Sequence, residues 1–421
     1  MSGTDSTYFN SYSVNYVRNK FKNYYLNNTV STIVVPERRE FGIGEFGKKI
    51  SARHLFFNSI NDFNFYLKTN VPFHISYSVG YFKYPEKRPM EAKEWTGADI
   101  VYEFDADDFD LPCKSEHDTW LCKNVACKKT GYGHIDKCTE CNSPTEIIEW
   151  TCDKCLGKAK EETLRLIEFL VNDFSLDPNY FIISFSGSKG YHVRIIDPKI
   201  IPLSKASRAI MMHYILGNDI NLEKLGFILD HKQWSIPSPD KAKGWGKKIL
   251  DYMIETIKDS SEKELKTKLD ITSQKAKLIS ENKEIILNKM YHNSILWSDF
   301  TSQDKFWSNF INKAIESTRL KIDPSVAQDI YKIVRVPNTI HGGTGFLASL
   351  IKDVQELKDF DALKDPIIFK SDIKKAIKIL KPIPKLKLLN KTYGPYTIGE
   401  IIELEEHVCI YFILKGVGTF E

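Results

Sequence analysis

The sequence predicts a mixed α+β protein whose core is discontinuous, interrupted first by a small metal-held element and then by a helical subdomain. Three observations carry this. Short alternating or apolar strand-like runs recur near both ends of the chain. Seven of the eight cysteines fall between Cys113 and Cys155. Between 236 and 318 the composition turns to Lys, Glu, Ile and Leu at helical spacing. At 421 residues the chain is long enough for two or three units. With 42% hydrophobic and 27% charged residues it is globular rather than disordered.

The elements follow in order. Residues 1–60 open on a Tyr/Asn-rich helical stretch, pass through a charged turn, ERREFGIGEFG, and reach Arg53-His54-Leu55-Phe56-Phe57. Residues 73–105 read as strands: PFHISYSVGYF alternates, and Asp99–Asp105 is a strand ending in acids. The Cys-rich segment 113–155 is too short and polar to build a core, so metal must hold it together. From Lys158 to Phe174, Leu164, Ile167, Leu170/Val171 and Phe174 keep a helical period that Asp177-Pro178 ends. Tyr180–Phe185 and Tyr191–Ile196 are strands around the turn SGSKG. Segments such as ILDYMIETIKD and FWSNFINKAIEST mark the helical subdomain, and strands are expected again through IGEIIELEEHVCIYFILKGVG. The core thus comprises 1–112, 156–235 and 319–421, the metal element 113–155 and the helical subdomain 236–318. Cys409, within Val408-Cys409-Ile410-Tyr411, is expected to be a buried thiol.

Charge excludes little globally, since 59 basic and 55 acidic side chains leave +4. Locally, eight lysines face one acid, Asp372, from Lys370 to Lys391. The ordinary reading of such a run is a solvated helix face, with a phosphate-tracking surface as the alternative. No apolar run reaches the roughly 18 residues of a membrane-spanning helix. The opening MSGTDSTYFN lacks a basic region followed by an apolar stretch, so no signal peptide and no membrane association are expected.

Four groups of residues carry chemistry. In Tyr102–Asp110, strand periodicity puts Glu103, Asp105 and Asp107 on one face; such packed acids repel unless a cation lies between them, and hard oxygens suit Mg²⁺ or Mn²⁺. An acidic loop at a strand end is the plain alternative. In Ser186-Gly187-Ser188-Lys189-Gly190-Tyr191-His192, two glycines permit a tight turn with amides and side chains facing an anion, though a hairpin turn explains it as well and the Walker spacing is absent. In Asp323-Pro324…Asp329…Arg335-Val336-Pro337…His341-Gly342-Gly343-Thr344-Gly345, an arginine and an imidazole precede a Gly-rich turn and could fork onto phosphate; a structural Arg–Asp pair is the competing reading. Lastly, Cys122, Cys127, Cys138 and Cys141 make a four-thiolate zinc set, while Cys113, His117, Cys152 and Cys155 flank it and could close a second. His134 competes for a place in the inner set. Four protein ligands leave no open position, so these zinc sites are structural.

Taken in order, an acid-x-acid strand (Glu103-Phe104-Asp105), an SGxxGxH turn (Ser186 to His192) and a late Asp323 followed by Arg335-Val336-Pro337…His341-Gly342-Gly343-Thr344-Gly345 resemble the small catalytic subunit of archaeal and eukaryotic DNA primase. Arg38-Arg39-Glu40-Phe41 and Arg53 are similar to that family's N-terminal segment, and the likeness covers nearly the whole chain. It implies an archaeo-eukaryotic primase catalytic core with a zinc-binding insertion. It also implies synthesis of short primers on single-stranded DNA from NTPs or dNTPs at the start of replication. Catalytic Mg²⁺ or Mn²⁺ would rest on Glu103, Asp105 and Asp323, with Asp329 in support. Ser186, Ser188, Lys189, His192, Arg335 and His341 would hold the nucleotide, with Arg53 and Glu40 nearby. A large subunit bearing an iron–sulfur cluster is the implied partner within the replication machinery. The implied location is the cytoplasm and nucleoid of an archaeon, or the nucleus of a eukaryote. Two departures stand out: Glu103 replaces the family's first Asp, unless the pair is Asp105 with Asp107, and the inner cysteine set is an insertion. A primase-polymerase of a mobile element or repair pathway and a non-catalytic zinc-dependent nucleic-acid-binding protein are the alternatives.

Overall fold

The computed structural model describes residues 11–300, 302–323 and 328–421. The opening decapeptide and Pro324 of the third motif lie outside them. Packing divides the chain into two units. The first contains the residues up to Leu164, Asp177–Arg208 and Ile322–Glu421; the second contains Arg165–Leu176 and Ala209–Lys321. The expected helical subdomain 236–318 lies inside the second unit.

Two four-stranded antiparallel sheets organise the first unit. One contains β1 (Phe41–Gly44), β2 (Ala52–Leu55), β3 (His74–Ser78) and β14 (Ile333–Arg335), in the order β14-β3-β1-β2. The other contains β6 (Ile100–Asp105), β10 (Phe181–Phe185), β11 (Gly190–Ile195) and β15 (Leu350–Ile351), in the order β15-β10-β11-β6. A short hairpin of β4 (Gly80–Phe82) and β5 (Trp95–Ala98) leads into β6. The sheets are tied by a buried charge cluster. Asp99 accepts from Arg39 at 2.9 Å and from Arg194 at 2.6 Å, and Arg194 also donates to the Ser78 carbonyl at 2.6 Å. A buried carboxylate is tolerable there because two guanidinium groups pair with it.

Helix α1 (Ser11–Asn27) buries Val17, Phe21 and Tyr25, and α2 (Ile60–Asn70) buries Phe63 and Leu67 behind an N-cap at Ser59. The metal element holds one helical turn, α3 (Lys114–His117), and the strands β7 (Thr119–Cys122), β8 (Thr130–Tyr132) and β9 (Thr145–Ile148), in the order β8-β7-β9. Helix α4 (Asp153–Asn172) follows, with Leu156, Ala159, Leu166 and Leu170 buried at helical spacing.

The second unit is built mainly of α5 (Lys205–Ile215), α6 (Gly244–Asp259), α7 (Glu262–Leu269), α8 (Ser273–Glu281), α9 (Lys283–Asn288) and α10 (Gln303–Thr318), with a hairpin of β12 (Ile228–Asp230) and β13 (Gln233–Ser235). Of the four crossings between the units, two fall within helices, after Leu164 in α4 and after Arg208 in α5.

Three local expectations change. Phe41–Gly44, expected as part of a charged turn, is strand β1, because it pairs with both β2 and β3. The lysine run is not a helix face. It lies on β16 (Lys374–Ile379), β17 (Leu386–Leu388) and β18 (Lys391–Tyr393), where buried Ile377, Ile379, Leu386 and Leu388 alternate with exposed neighbours. The closing apolar run is a strand only at β19 (Ile401–Glu405) and β20 (Gly418–Phe420). Between them Glu406–Lys415 is a helix with every residue from Glu406 to Leu414 buried, so no polar stripe reveals its period. This helix is α12, after the short α11 (Val354–Asp359). Cys409 is fully buried in it, as expected.

Candidate active site

Strand register assembles the site. Antiparallel pairing of β6 with β11 sets Gly190 opposite Asp105 and His192 opposite Glu103. The SGSKG turn therefore stands beside the acids at the same end of the sheet. Tyr102 and Phe104 are buried while Glu103 and Asp105 share the partly open face, as strand alternation requires. Asp107 does not continue that face. The strand ends at Asp105, and Ala106–Asp108 form a 3₁₀ turn in which the Asp108 carboxylate accepts from the Asp105 N–H at 3.1 Å.

Each acid has a distinct environment. Glu103 pairs with Lys332 at 2.6 Å, with the His192 Nε2 3.9 Å away. Burial raises the Asp105 pKa, and Glu103, Asp108 and Asp107 add to the rise against the opposing effect of His192. Asp108 is likewise raised by burial and then by Asp107, Asp323 and Glu103, so the late Asp323 has come within electrostatic reach of the β6 acids. Asp329 uses its carboxylate to accept from the Tyr331 N–H at 2.9 Å. Both shifts describe carboxylates withdrawn from water and crowded against one another.

The second motif is a turn organised by its first residue. Ser186 Oγ accepts from the N–H groups of Ser188, Lys189 and Gly190 at 3.3, 3.2 and 3.1 Å. Ser188 and Lys189 remain partly open. The Lys189 ammonium is held between Asp107 and Glu149; burial acts to lower its pKa, but the two acids outweigh it and keep the lysine charged.

The third motif meets the second directly. Thr344 Oγ1 donates to the Gly187 carbonyl at 2.6 Å. Gly187 has φ +80°, and a Cβ there would lie 2.7 Å from the His341 Cβ. β15 pairs with β10, and the Phe185 N–H donates to Ser349 O at 2.9 Å, which holds the two turns together. His341 Nδ1 accepts from the Gly343 N–H at 3.1 Å. Its proton therefore resides on Nε2, where it can be donated. Burial, then the charge of Arg335 and His74, pulls His341 well below the ordinary histidine range, so the ring is neutral.

Arg335 pairs across β14–β3 with Ser76, beside His74, and its Nη2 lies 2.9 Å from His74 Nδ1. Burial lowers the Arg335 pKa to about 10 and that of His74 to about 3, the latter with help from Arg335. Arg335 Nη1 is buried with no hydrogen-bond partner. Among the described residues no carboxylate pairs with this guanidinium, which disposes of the structural Arg–Asp alternative for the third motif.

Of the N-terminal residues, Arg53 is partly exposed and donates from Nε to Glu40 at 2.9 Å and from Nη2 to Tyr331 O at 3.2 Å. Glu40 is fully buried, so it cannot itself touch a nucleotide; it orients Arg53 and also faces Lys93 at 3.6 Å. Four side chains at the site carried no motif in the sequence: His74, Glu149, Lys332 and Lys49, whose charge reaches His74 and His341. They are recruited from other strands and loops, so only tertiary pairing reveals them.

Two cysteine-containing clusters stand on the metal element. Cys113, His117, Cys152 and Cys155 bring their ligand atoms within 4.8 Å of one another, and so do Cys122, Cys127, Cys138 and Cys141. Sulfur separations of 3.4 Å for Cys113–Cys155 and Cys122–Cys141, and 3.8 Å for Cys127–Cys138, approach the spacing of about 3.8 Å implied by tetrahedral thiolates at about 2.3 Å from zinc. His134 does not join the inner set. Its Nε2 lies 2.6 Å from Asp118 Oδ2, while Asp118 Oδ1 lies 2.9 Å from His117 Nδ1 and also accepts from the Trp150 N–H. A carboxylate on the far nitrogen of a ligand histidine fixes its tautomer. Glu149, directly after β9, pairs with Lys189, so the cysteine-bearing element braces the SGSKG turn.

Crowded carboxylates at a strand end, beside a neutral imidazole donor and an unpaired buried guanidinium, form the site of an enzyme that transfers phosphoryl or nucleotidyl groups. Comparison with known proteins makes this specific. The profile of the DNA primase small subunit family matches residues 144–352, which include the second and third motifs. The chain is 27% identical to the DNA primase small subunit PriS of Nitrosopumilus maritimus over 416 residues, covering 97% of this chain and 99% of the relative. It is 27% identical to that of Methanococcoides burtonii over 433 residues, covering 96% and 98%, and 25% identical to that of Cenarchaeum symbiosum over 404 residues, covering 95% and 96%. The chain belongs to the DNA primase small subunit family, which are DNA-directed nucleotidyltransferases, and is a catalytic primase subunit acting in DNA replication.

Proposed function

We propose that the first unit joins nucleoside triphosphates on a single-stranded DNA template by in-line displacement at the α-phosphorus, releasing pyrophosphate. The observation that carries this reading is Arg335, which has no carboxylate partner among the described residues and a buried Nη1 without a hydrogen bond, set beside His74, whose ring in turn meets that of the neutral His341. An unpaired buried cation is stable only if an anion joins it, and a triphosphate fits.

The oxygen-only donor set and the raised Asp105 and Asp108 fit divalent cations. Glu103, Asp105 and Asp323 would hold Mg²⁺ or Mn²⁺, which when bound supplies activation of the attacking 3′-hydroxyl and charge neutralisation at the phosphates. Glu103 and Asp105 are preferred over Asp105 with Asp107, because only the former pair shares the strand face while Asp107 pairs with Lys189.

The chain's own groups do the rest. Arg335 forks onto non-bridging oxygens. His341 donates from Nε2 and retains its proton, since a ring this hard to protonate is a hydrogen-bond donor rather than an acid. Lys189 exchanges Asp107 or Glu149 for phosphate, Ser188 and the turn amides add donors, and Ser186 holds the turn in shape. His192 steadies Glu103, and Arg53, oriented by Glu40, flanks the pocket.

Zinc would occupy both cysteine clusters in a structural role, with every ligand supplied by protein. The exposed Lys374, Lys378, Lys385 and Lys387 on alternate strand positions suit a template backbone. A large subunit carrying an iron–sulfur cluster completes the enzyme, which works in the nucleoid of an archaeal-type cell; no described helix is long and apolar enough to cross a membrane. The test is Mn²⁺-dependent binding of a fluorescent nucleoside triphosphate. Arg335→Met should weaken it at least about tenfold, the value of one or two charge-assisted hydrogen bonds. Asp105→Asn should abolish its metal dependence. Wild-type behaviour in both variants overturns the reading.

A further inference from the structure

Helix α12 backs the Gly-rich turn of the third motif. A Cβ on Gly345 would lie 2.9 Å from Ile410 and 3.1 Å from Leu414, and Tyr411 stacks on Phe346 with ring centres 5.2 Å apart. The last residue of that helix, Lys415, carries its ammonium 4.8 Å from the centre of the Trp150 ring and 5.9 Å from that of Tyr411. No carboxylate forms an ion pair or hydrogen bond with it among the described residues. The charges that act on it are Lys189, Glu149 and Asp107 of the site and Asp118 behind the cysteine cluster, and Lys415 acts in turn on His341.

Lys415 is thus a cation set behind the phosphate-binding turns, with all three nearby acids already taken: Asp118 faces His117, His134 and the Trp150 N–H. Lys189 holds Asp107 and Glu149, as its contacts to each show. Burial and then repulsion from Lys189 lower the Lys415 pKa to about 8. A structural role as a stem packed on Trp150 explains the methylenes but not the charge. A cation–π contact offsets only part of the cost of partly desolvating an ammonium that no carboxylate pairs with. An anion arriving between Arg335 and Lys189 would supply the missing partner.

We propose that Lys415 is a further ligand of the polyphosphate of the incoming nucleotide, delivered by the C-terminal helix to complete a set of cations with Arg335 and Lys189. This rests on the reading of the pocket as a triphosphate site. It also explains why the closing helix, far in sequence from every motif, is packed on the His341–Gly345 turn.

The test compares Lys415→Met, which keeps the apolar stem on Trp150, with Lys415→Arg and Arg335→Met in the full chain. Binding of ATP and of AMP is measured by titration calorimetry with Mn²⁺ and without DNA, and melting is followed without nucleotide. Lys415→Met should weaken ATP about 10- to 30-fold, leave AMP within twofold, and melt at or above the wild-type temperature. Lys415→Arg should recover ATP affinity to within about threefold. If Lys415→Met binds ATP like wild type while Arg335→Met does not, the proposal fails and the triphosphate pocket stands. Equal loss of ATP and AMP with a lowered melting temperature makes Lys415 structural and also overturns it. Wild-type ATP binding by Arg335→Met removes the pocket reading, and this proposal with it.

Discussion

Replacing Gly187 by alanine tests whether the second and third motifs are physically clamped together. Gly187 sits at φ +80°, a region that costs an L-residue about 1–2 kcal/mol. The added methyl would lie 2.7 Å from His341 Cβ and 3.3 Å from both Ala348 N and Phe346 O, against about 3.5–4.0 Å for ordinary carbon contacts. Two of those three neighbours are backbone, and His341 is tied by its own turn, so the SGSKG turn must move. Overpacking of this kind adds about 1–3 kcal/mol. The hydrogen bond from Thr344 Oγ1 to Gly187 O, 2.6 Å long, is then stretched or lost. A loss of about 2–5 kcal/mol follows, which in a unit of this size lowers the melting temperature by about 3–8 °C. Triphosphate affinity should fall more than tenfold, because Lys189 and His341 no longer converge. Gly157→Ala in helix α4 is the matched control: its Cβ meets nothing within 4 Å, and helix propensity predicts a neutral or stabilising change of up to about 1 kcal/mol. A Gly187→Ala variant that melts and binds triphosphate like wild type would refute the clamp.

Other outcomes follow from the same geometry. Lys332→Met should tighten Mn²⁺ binding severalfold, read by electron paramagnetic resonance without nucleotide, because the ion pair with Glu103 at 2.6 Å competes with the metal; unchanged affinity would remove Glu103 from the ligand set. His74 has a folded pKa near 3, below its unfolded value near 6.5, so its contribution to stability is complete above about pH 6.5 and is lost as pH falls toward 3. At pH 5 the loss is about 2 kcal/mol relative to pH 8, and His74→Asn should flatten the melting-temperature profile across that interval; an unchanged slope would mean that His74 is not buried beside Arg335. Elemental analysis should find two zinc ions per chain, one in Cys141→Ser, and a larger loss of stability in Cys155→Ser, whose cluster is more buried and is backed by Asp118; one zinc in the wild type would leave one cluster empty.

How much of this was legible in the sequence depended on how local the signal is. Glu103 and Asp105 follow from strand alternation, and the clusters from cysteine spacing. The turn from Ser186 to Gly190 follows from two glycines and a serine. What joins them did not appear, because it depends on register between distant strands: Gly190 opposite Asp105, Arg335 opposite Ser76 beside His74, and Thr344 on Gly187. Lys189 illustrates the gap. Its residue type marks an anion contact, yet its partners here are Asp107 and Glu149, one turn and one metal element away. Glu40 is a similar case, since residue type gives no sign that its carboxylate is wholly enclosed behind Arg53. Two of the three misread elements fail for opposite reasons. α12 is apolar on all sides, so its period is invisible. The lysine run conceals strand alternation because Lys and Ile trade places irregularly between β16 and β17.

If the β6 carboxylates drive template-directed synthesis, incorporation of labelled nucleotide into short oligomers on an unprimed single-stranded DNA template with Mn²⁺ must depend on them. The wild-type chain should make such oligomers and Asp105→Asn, which removes one charge from the crowded acids without changing their packing, should make none. Oligomers formed equally by both would contradict the placement of the reaction at Asp105.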